Sequence, residues 1–578
     1  MTLQPGPSPR PAGTVRPLHL PGAMRNTRWI VACLALWVGT PVLADPLPGR
    51  LAGPELEAAR SEAERAKTAA QSVVRAHALR LGYGEADIAR ALSPAMVRSG
   101  EFTVALDDGT KIAFPWHRIG FAENRIANTD KPITRDARGA ATLHETNKGG
   151  VRLHYGVFAD EVYALALKMD TKLATAQDAL MGHSFRGAKG GIGAGRVVEV
   201  GSRYEVKVGD HVDPASPVFD RPELMRRFAA SYRAAGGDVG PGLDIQAGDV
   251  NTKAPEMKPL ALAYGAGKLS PGVSGKEVLT RVDGTVDPQG GIAYRARSTG
   301  EGVWASARLA AKQNGTQLRA ATVIAQGWGE VGRAFGQAAV RDGAVLLGVE
   351  ELWTVDGKRV AGTLRNPYGD HATPKQVRAF MADVDAARSS GKGLDAWEGG
   401  RLLAHLDGGK GVDHYRADIV GMNAMGDVLN DKSVPRLVAS GTHQGQRKII
   451  VEGANLAETT EGARLLDHHR GALLTVPGDL ANLGGVHVSN LEAAQNVFGE
   501  AVSDDKARRS LLSTMRAGYK RGQSFSIQHG VSERAGFELA AVDAMMKRSL
   551  QLRGAPRTSV ERRVISKATL ASTSAGRR

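Results

Sequence analysis

One stretch of the sequence, residues 322–351, constrains the fold more than any other; it reads TVIAQGWGEVGRAFGQAAVRDGAVLLGVEE. Its first residues are apolar and predict a buried strand, which a glycine turn joins to an amphipathic helix. The glycines of this turn are Gly327, Gly329 and Gly332. The first permits a tight turn, the second lets the backbone approach a pyrophosphate, and the third lets the helix pack closely on the strand. Such a turn also occurs in ordinary strand-to-helix connections, but the complete strand, turn and helix favour dinucleotide binding.

Two adjacent acids end the second predicted strand of this unit. Glu350 and Glu351 follow the turn at the distance where dinucleotide-binding units place a carboxylate on the adenosine ribose, about 20 residues. Glu351 is the candidate for this contact and Glu350 is the alternative. Because a carboxylate repels the 2′-phosphate of NADP, the sequence predicts NAD as the cofactor rather than NADP.

The chain of 578 residues is too long for one hydrophobic core and divides into regions of different pattern. Residues 291–489 alternate strands and helices, which predicts βαβ units and a Rossmann-like dinucleotide-binding domain. The predicted strands are 320–325, 344–349, 417–420, 448–451 and 472–476. Residues 45–290 predict a first, substrate and oligomerisation domain, to which the helical residues 490–550 return. The expected fold class is α/β with two domains and a site in the cleft between them.

Both ends of the chain differ from the rest. Residues 1–44 are interpreted as a leader and signal peptide: Met24 opens a basic segment, an apolar run ends at Val42, and Ala44 precedes the expected cleavage point. The expectation is an exported protein, periplasmic if bacterial; an uncleaved membrane anchor and a cytoplasmic location are the alternatives. Residues 551–578 are basic and predict a disordered, solvated tail.

Composition and spacing argue against other classes of partner. The net charge is +15, but no zinc-finger, RRM or basic-zipper pattern is present, so no nucleic-acid partner is predicted. The single cysteine, Cys33, lies in the leader, so the processed chain has neither a disulfide nor a thiolate nucleophile. The adjacent His468 and His469 lack a third ligand at suitable spacing, so no metal site is predicted.

Three lysines and an aspartate in the first region are candidate site residues: Lys148 in NKGGVR, Lys172 in MDTKLAT, Lys189 in RGAKGGI and Asp249 in LDIQAGDVNT. Lys189 nearly fits a phosphate-binding P-loop, but Ala188 separates it from the second glycine and no hydroxyl follows it. Clustered cations can hold an anionic substrate. A lysine near other cations gives up its proton easily and can act as an acid or base. Taken singly, each residue is also compatible with a solvated surface.

A series of short motifs runs in one order along the chain. They are NKGGVRLH, RGAKGGI, DIQAGDVNT, STGEGVW, AQGWGEVG, KIIVEGAN, PGDLANLGGVHVSNLEAAQN and HGVSERAGFELAAVDAMMKR. In these motifs the chain, from about residue 100 to 548, resembles the glutamate/leucine/phenylalanine/valine dehydrogenase family, and most of all its glutamate enzymes. The resemblance implies reversible oxidative deamination of an L-amino acid, with glutamate expected, to a 2-oxo acid and ammonia, while hydride passes to NAD(P). It also implies a homo-oligomer, often a hexamer, assembled through the first domain.

The resemblance also implies roles for individual residues. Lys189 matches the catalytic lysine that activates the water attacking an iminium intermediate, and Asp249 matches the aspartate that moves protons to and from the substrate nitrogen. Lys172 matches the lysine that holds the α-carboxylate. Lys148 matches the position that meets the side-chain carboxylate in glutamate enzymes, and Ser489 matches a serine that assists it.

Three further residues, Thr299, Asn455 and Asn482, fall in motifs expected near the cofactor. The chain departs from the family pattern in two loops that look expanded, 177–188 and 196–222; the first contains His183 and Arg186 as possible substrate contacts. These departures leave open a dehydrogenase for an apolar amino acid, or an exported relative that binds nucleotide without catalysis.

Overall fold

The computed structural model describes most of the chain from residue 54 onward. The described residues are 54–122, 133–135, 141–143, 146–180, 185–201, 211–424 and 426–554. The predicted leader and signal peptide, His183 and the basic tail from residue 555 lie outside these ranges. Within them, no helix combines the length and the apolar character that crossing a bilayer requires.

The described residues before 295 form a mixed sheet with helices on it. In chain order, the elements are α1 (Pro54–Arg80), α2 (Glu85–Leu92), β1 (Met96–Ala105), β2 (Lys111–Gly120), β3 (Ile133–Arg135), β4 (Ala141–Leu143), β5 (Thr146–Leu153), α3 (Ala159–Leu180), β6 (Phe185–Ile192), β7 (Gly195–Glu199), β8 (His211–Val212), α4 (Arg221–Ala234), β9 (Asp244–Gly248) and α5 (Ala254–Tyr264). The main sheet has the strand order β8-β7-β2-β6-β5-β9, and β1 pairs antiparallel with β2.

Glycines set the close spacing at the centre of this sheet. The parallel neighbours β5 and β6 are buried along their whole lengths, as expected for strands covered on both faces. A Cβ added at Gly149 would come within 1.5 Å of the Ala188 carbonyl oxygen, and one at Gly187 within 2.4 Å of the Ala166 carbonyl oxygen. Helix α3 therefore packs directly on β6. Side chains of α3, β5 and β6 consequently lie close together.

The described residues from 295 onward form a second sheet and a set of long helices. The elements are α6 (Arg295–Asn314), β10 (Thr322–Gln326), α7 (Glu330–Arg341), β11 (Val345–Val355), β12 (Lys358–Arg365), α8 (Pro374–Ser389), β13 (Leu406–Gly408), β14 (Ile419–Met422), α9 (Ser433–Ala439), β15 (Lys448–Glu452), α10 (Thr460–His468), β16 (Leu473–Val476), α11 (Gly478–Ala481), α12 (Leu483–Phe498), α13 (Asp504–His529) and α14 (Glu533–Gly554).

The second sheet has the strand order β13-β12-β11-β10-β14-β15-β16. Strands β11, β10, β14, β15 and β16 are parallel, and β10 lies between β11 and β14, so the connections leave β10 in opposite directions. That is the switch point at which open α/β sheets bind ligands beyond the carboxyl ends of their strands. The strand predicted at 344–349 extends to Val355 and turns back through Asp356-Gly357 into the antiparallel β12.

The last helices return to the first sheet. Val542, Met545 and Met546 of α14 are buried against α1, α2 and α3. Burial of an apolar side chain of this size contributes roughly 1.5–3 kcal/mol, so this contact ties the C-terminal helix to the start of the chain. The boundary predicted at 489/490 falls within α12. The predicted domain limits otherwise stay a prediction.

Candidate active site

Lys189 and Asp249 are brought together by neighbouring strands. Lys189 lies on β6, and Asp249 directly follows β9, with β5 between the two strands. The Lys189 Nζ donates a charge-assisted hydrogen bond to Oδ2 of Asp249. Gly150 of β5 leaves room for this contact, because a Cβ added there would come within 2.7 Å of the Asp249 side chain.

The glycines around Lys189 therefore serve strand packing. The spacing in RGAKGG suggests a glycine loop around the lysine, but residues 185–192 form a buried strand. Most of the segment 177–188 that looks like a loop in sequence is regular structure, because α3 continues to Leu180 and β6 begins at Phe185; whether the segment is longer than in the family stays a prediction. Arg186 of this segment has a buried acidic partner. It pairs with Asp170 of α3 at 2.8 Å, and both side chains are buried.

Burial controls the protonation of the Lys189–Asp249 pair. It lowers the pKa of Lys189, which Asp249 counteracts and the nearby Arg152 reinforces. Burial alone would raise the pKa of Asp249, but the charges of Lys189 and Arg152 hold it below its ordinary range. Asp249 is thus held as an anion, and Lys189 releases its proton more easily than an exposed lysine. This is the combination that a proton-transfer site needs.

Lys172, on α3, lies near the Lys189–Asp249 pair. Its Nζ donates to the side-chain oxygens of Asn455 and Asn482, the latter at 2.9 Å. Burial lowers the pKa of Lys172 to about 7. The two asparagines, expected beside the cofactor, thus hold a substrate-site lysine. Among the described residues, its hydrogen-bond partners are neutral oxygens, so its charged form can take a carboxylate as a counter-ion.

Lys148 projects from β5 towards α12. Its Nζ donates to Ser274 Oγ at 2.7 Å and to Ser489 Oγ at 2.8 Å, and the two hydroxyl oxygens lie 2.9 Å apart. Lys148 is 1% exposed. Burial, reinforced by the charge of Arg295, places its pKa well below the ordinary value. We name Lys148, Ser274 and Ser489 the distal cluster.

Two residues of this site, Ser274 and Arg152, were not among the residues predicted from the sequence. Ser274 stands in a glycine-rich turn segment, SPGVSGKEV, whose local pattern carries no sign of a substrate contact. Arg152 belongs to the motif NKGGVRLH, but the family resemblance implied no role for it. Its Nη2 lies 3.5 Å from Oδ1 of Asp249. Within the described ranges, no group of three or more His, Cys, Asp or Glu side chains is arranged to hold a metal ion.

The glycine turn after β10 has the features of a phosphate-binding turn. Gly327 has a φ of +83°, in the region that favours glycine. A Cβ at Gly332 would lie 1.9 Å from the Gly327 carbonyl oxygen, so only glycine lets α7 approach the turn this closely. Gly329 is the N-cap of α7, so the first amides of the helix face the place where a dinucleotide pyrophosphate would sit. Gly327, Gly329 and Gly332 thus fit the group that the sequence predicts.

Of the two candidate acids, only Glu351 turns to this loop. Its Oε2 accepts a hydrogen bond from the Trp328 backbone N–H at 3.0 Å and lies 3.3 Å from Arg388 Nη1. The Arg388 guanidinium also donates to the Trp328 carbonyl oxygen. Glu350 accepts from the Val412 N–H at 2.7 Å, and burial raises its pKa to about 7. Of the two acids, Glu351 is therefore the one whose side chain contacts the glycine turn, and its contact with the ribose stays a prediction.

Thr299 lies where α6 meets α12. A Cβ at Gly485 would come within 2.5 Å of its hydroxyl oxygen. Next to it, a Cβ at Gly300 would lie 2.2 Å from the Val331 carbonyl oxygen on α7, so α6 also packs closely on the helix that follows the glycine turn. This position lies between the dinucleotide turn and the helix that carries Ser489.

The choice between Glu351 and Glu350 can be tested with a matched pair of variants. Glu351→Ser removes the repulsive carboxylate and frees Arg388 for a 2′-phosphate. We expect the ratio of kcat/KM for NAD to that for NADP to fall at least tenfold, since a charge-assisted hydrogen bond contributes about 1.5–3 kcal/mol. Glu350→Gln is the control and should leave the ratio unchanged. Equal changes in both variants, or a wild type that prefers NADP, would contradict the assignment.

Comparisons with known proteins agree with this geometry. A family model described as glutamate/leucine/phenylalanine/valine dehydrogenase matches residues 290–553. Glutamate dehydrogenase B of Halobacterium salinarum is 30% identical over 472 residues, which cover 80% of this chain and 89% of that protein. The NAD-specific glutamate dehydrogenase of Staphylococcus aureus is 27% identical over 460 residues, or 78% of this chain and 89% of that protein. The leucine-bound, hetero-hexameric glutamate dehydrogenase of Thermus thermophilus superposes with a TM-score of 0.60 at 23% identity, covering 89% of this chain and 100% of that chain.

Proposed function

This chain belongs to the glutamate/leucine/phenylalanine/valine dehydrogenase family, and we propose that it catalyses the reversible NAD(P)-dependent oxidative deamination of L-glutamate to 2-oxoglutarate and ammonia. The observation that carries the choice of glutamate is the distal cluster. Among the described residues, the buried Lys148 amine has two hydroxyls as its hydrogen-bond partners, and its burial opposes the charged form. A buried ammonium without a carboxylate partner is costly, and an incoming side-chain carboxylate supplies that partner. Relatives over most of the chain are glutamate dehydrogenases.

The residues of the cleft then have separate tasks. Lys172 binds the α-carboxylate, and the distal cluster binds the side-chain carboxylate, so the two ends of the substrate fix its orientation. Asp249 accepts a proton from the substrate amino group. Lys189 accepts a proton from the water that attacks the α-carbon of the iminium. NAD, when bound, accepts the hydride from that α-carbon. Closure of the cleft would exclude bulk water from these transfers.

Binding of the substrate should bring protons with it. In the free enzyme Lys172 has a pKa of about 7, so at pH 8 it is mostly neutral. A bound carboxylate favours the ammonium and raises this pKa, so proton uptake occurs above pH 7 and vanishes well below it. Calorimetric titration of 2-oxoglutarate without reduced cofactor, in two buffers of different ionisation enthalpy, measures the uptake. We expect about one proton at pH 8 from Lys172, lost in Lys172→Met; equal heats in both buffers would contradict this.

The direct test of the function is an amino-acid screen of the purified protein. NADH or NADPH absorbance is followed with glutamate, leucine, valine and phenylalanine, and in reverse with 2-oxoglutarate and ammonia. Glutamate should be oxidised with the highest kcat/KM. A preference for an apolar amino acid would redirect the proposal to another substrate of the same reaction, and no turnover with any of them would overturn it.

NAD is the proposed physiological cofactor. Glu351 faces the glycine turn and would repel a 2′-phosphate, and the Staphylococcus aureus relatives are NAD-specific. For the assembly we propose a homo-oligomer, a hexamer, because the Thermus thermophilus neighbour is hexameric. Size-exclusion chromatography with light scattering tests this, and a monomer would contradict it.

Export is proposed from the sequence of residues 1–44. The pattern of a basic segment, an apolar run and Ala44 supports cleavage before Asp45. N-terminal sequencing of the protein from separated cell fractions tests it. A full-length, active protein in the cytosol would contradict export.

A further inference from the structure

A row of four side chains with alternating charge leads away from the proposed substrate site. It begins at Lys189, which contacts Oδ2 of Asp249. The other oxygen of Asp249, Oδ1, lies 3.5 Å from Nη2 of Arg152, and Nη1 of Arg152 lies 2.5 Å from Oε1 of Glu161. Lys189 comes from β6, Arg152 from β5 and Glu161 from the first turn of α3. Three separate elements thus converge to form the row.

Asp249 is shared unequally between its two cations. Arg152 lies about 1 Å closer to Glu161 than to Asp249, so its stronger ion pair is the one with Glu161. One carboxylate faces two cations, and Glu161 supplies the second negative charge that balances them. Without Glu161, the full positive charge of Arg152 would act on Asp249 and on Lys189.

The Arg152–Glu161 pair is not arranged as a well-satisfied structural brace. It makes a single hydrogen bond instead of the two parallel bonds that a guanidinium and a carboxylate can form. Among the described residues, the buried atoms Nε of Arg152 and Oε2 of Glu161 have no hydrogen-bond partner. A pair kept only for stability would satisfy these atoms.

The other charged groups near Lys189 are accounted for on each element packed around it. On β2, Arg118 is paired with Asp244 at 2.5 Å. On α3, Lys172 contacts the two asparagines. At the end of β5, burial and the charge of Arg152 lower the pKa of His154 to about 3, so this ring is neutral at working pH. Arg118 also lowers the pKa of Lys189, but its charge is balanced by Asp244, and after Asp249 the nearest unevenly balanced charge is that of Arg152.

We propose that Arg152 and Glu161 are positioning residues that set how tightly Lys189 holds its proton. Arg152 attracts the Asp249 carboxylate and so weakens its pairing with Lys189. Glu161 limits this effect because its charge balances that of Arg152. The role of the proton in catalysis rests on the proposed function, whereas the control of the proton concerns only side chains of this protein. The two residues act with opposite sign. Removal of the Arg152 charge leaves Asp249 wholly to Lys189, which then keeps its proton to higher pH. Removal of the Glu161 charge leaves Arg152 unbalanced, and Lys189 loses its proton at lower pH.

The test measures the titration of Lys189 directly in the full-length protein. Trace labelling with acetic anhydride over a pH series, followed by mass spectrometry of the peptide that contains Lys189, gives the midpoint pH at which this amine becomes reactive. We expect the midpoint to move by about one pH unit, upward in Arg152→Met and downward in Glu161→Gln. In the double variant no guanidinium is left for Glu161 to balance, so the midpoint should lie near that of Arg152→Met. Asp160→Asn is the matched control, since Asp160 precedes Glu161 on α3 but faces Lys67 at the surface, and it should not move the midpoint.

The same variants are assayed for the pH dependence of kcat/KM with glutamate, whose acid limb should follow the labelling midpoints. Shifts of the same sign in both single variants, or no shift in Glu161→Gln, would overturn the inference. If Arg152→Met does not fold, Arg152→Lys and Glu161→Gln still decide it, because Arg152→Lys keeps the charge and should stay near the wild-type midpoint. Labelling shifts in a protein without glutamate turnover would uphold the inference and refute the proposed function.

Discussion

Replacement of Lys189 by alanine, or of Asp249 by asparagine, is expected to lower turnover by about 10²–10⁴-fold, the usual contribution of general acid–base catalysis. The two residues form one charge-assisted pair, so each change removes a proton-transfer group and the partner that tunes the other. The losses should therefore not add: the double variant should be little slower than the slower single variant. Steady-state kinetics of the three variants with glutamate and NAD measure this.

Cofactor binding provides the control for these variants. Neither residue touches the glycine turn after β10, so NADH should bind with unchanged affinity, as followed by its fluorescence. Lys111→Ala is a matched substitution, because Lys111 lies on the same sheet but is 46% exposed and paired with Glu199. It should keep wild-type turnover. A Lys189→Ala or Asp249→Asn enzyme as fast as Lys111→Ala would remove that residue from the mechanism.

The dinucleotide unit was predictable from sequence because all of its signals are local. The apolar strand, the glycine turn and the helix follow one another within residues 322–341, and the structure has β10 and α7 in these places. The predicted strands near 417, 448 and 472 also occur, as β14, β15 and β16. The antiparallel β12 was missed, although Asp356-Gly357 is a local hairpin signal.

The assembly of the site could not be derived from local pattern. Lys148 meets Ser274 and Ser489, which are 126 and 341 residues away in sequence, and no periodicity relates such positions. Family resemblance supplied Ser489, whereas Ser274 was not identified. The glycines around Lys189 nearly match a phosphate-binding loop in sequence. Here their small size serves close packing between strand and helix, a property of three-dimensional contacts that the linear sequence does not express.

Lys148→Leu should separate glutamate from apolar substrates. A charge-assisted hydrogen bond to the side-chain carboxylate contributes roughly 1.5–3 kcal/mol, so kcat/KM for glutamate should fall by at least about one to two decades. Leucine, valine and phenylalanine have no carboxylate at this end and should be affected much less. Ser274→Ala, in the same cluster, removes one neutral hydroxyl and should have a smaller effect on glutamate, about 0.5–1.5 kcal/mol.

The hydrogen bonds of the distal cluster allow Lys148→Leu to change substrate recognition without destabilising the fold. The hydroxyls of Ser274 and Ser489 lie 2.9 Å apart and can bond each other once the ammonium is gone, so the substitution leaves neither of them without a partner. Leucine is shorter than lysine, but it removes a buried amine whose charged form is costly to bury. The thermal midpoint should therefore not fall, and a loss of glutamate turnover can be attributed to recognition. A wild-type enzyme that prefers an apolar amino acid, with a preference unchanged by Lys148→Leu, would show that this lysine does not select the substrate.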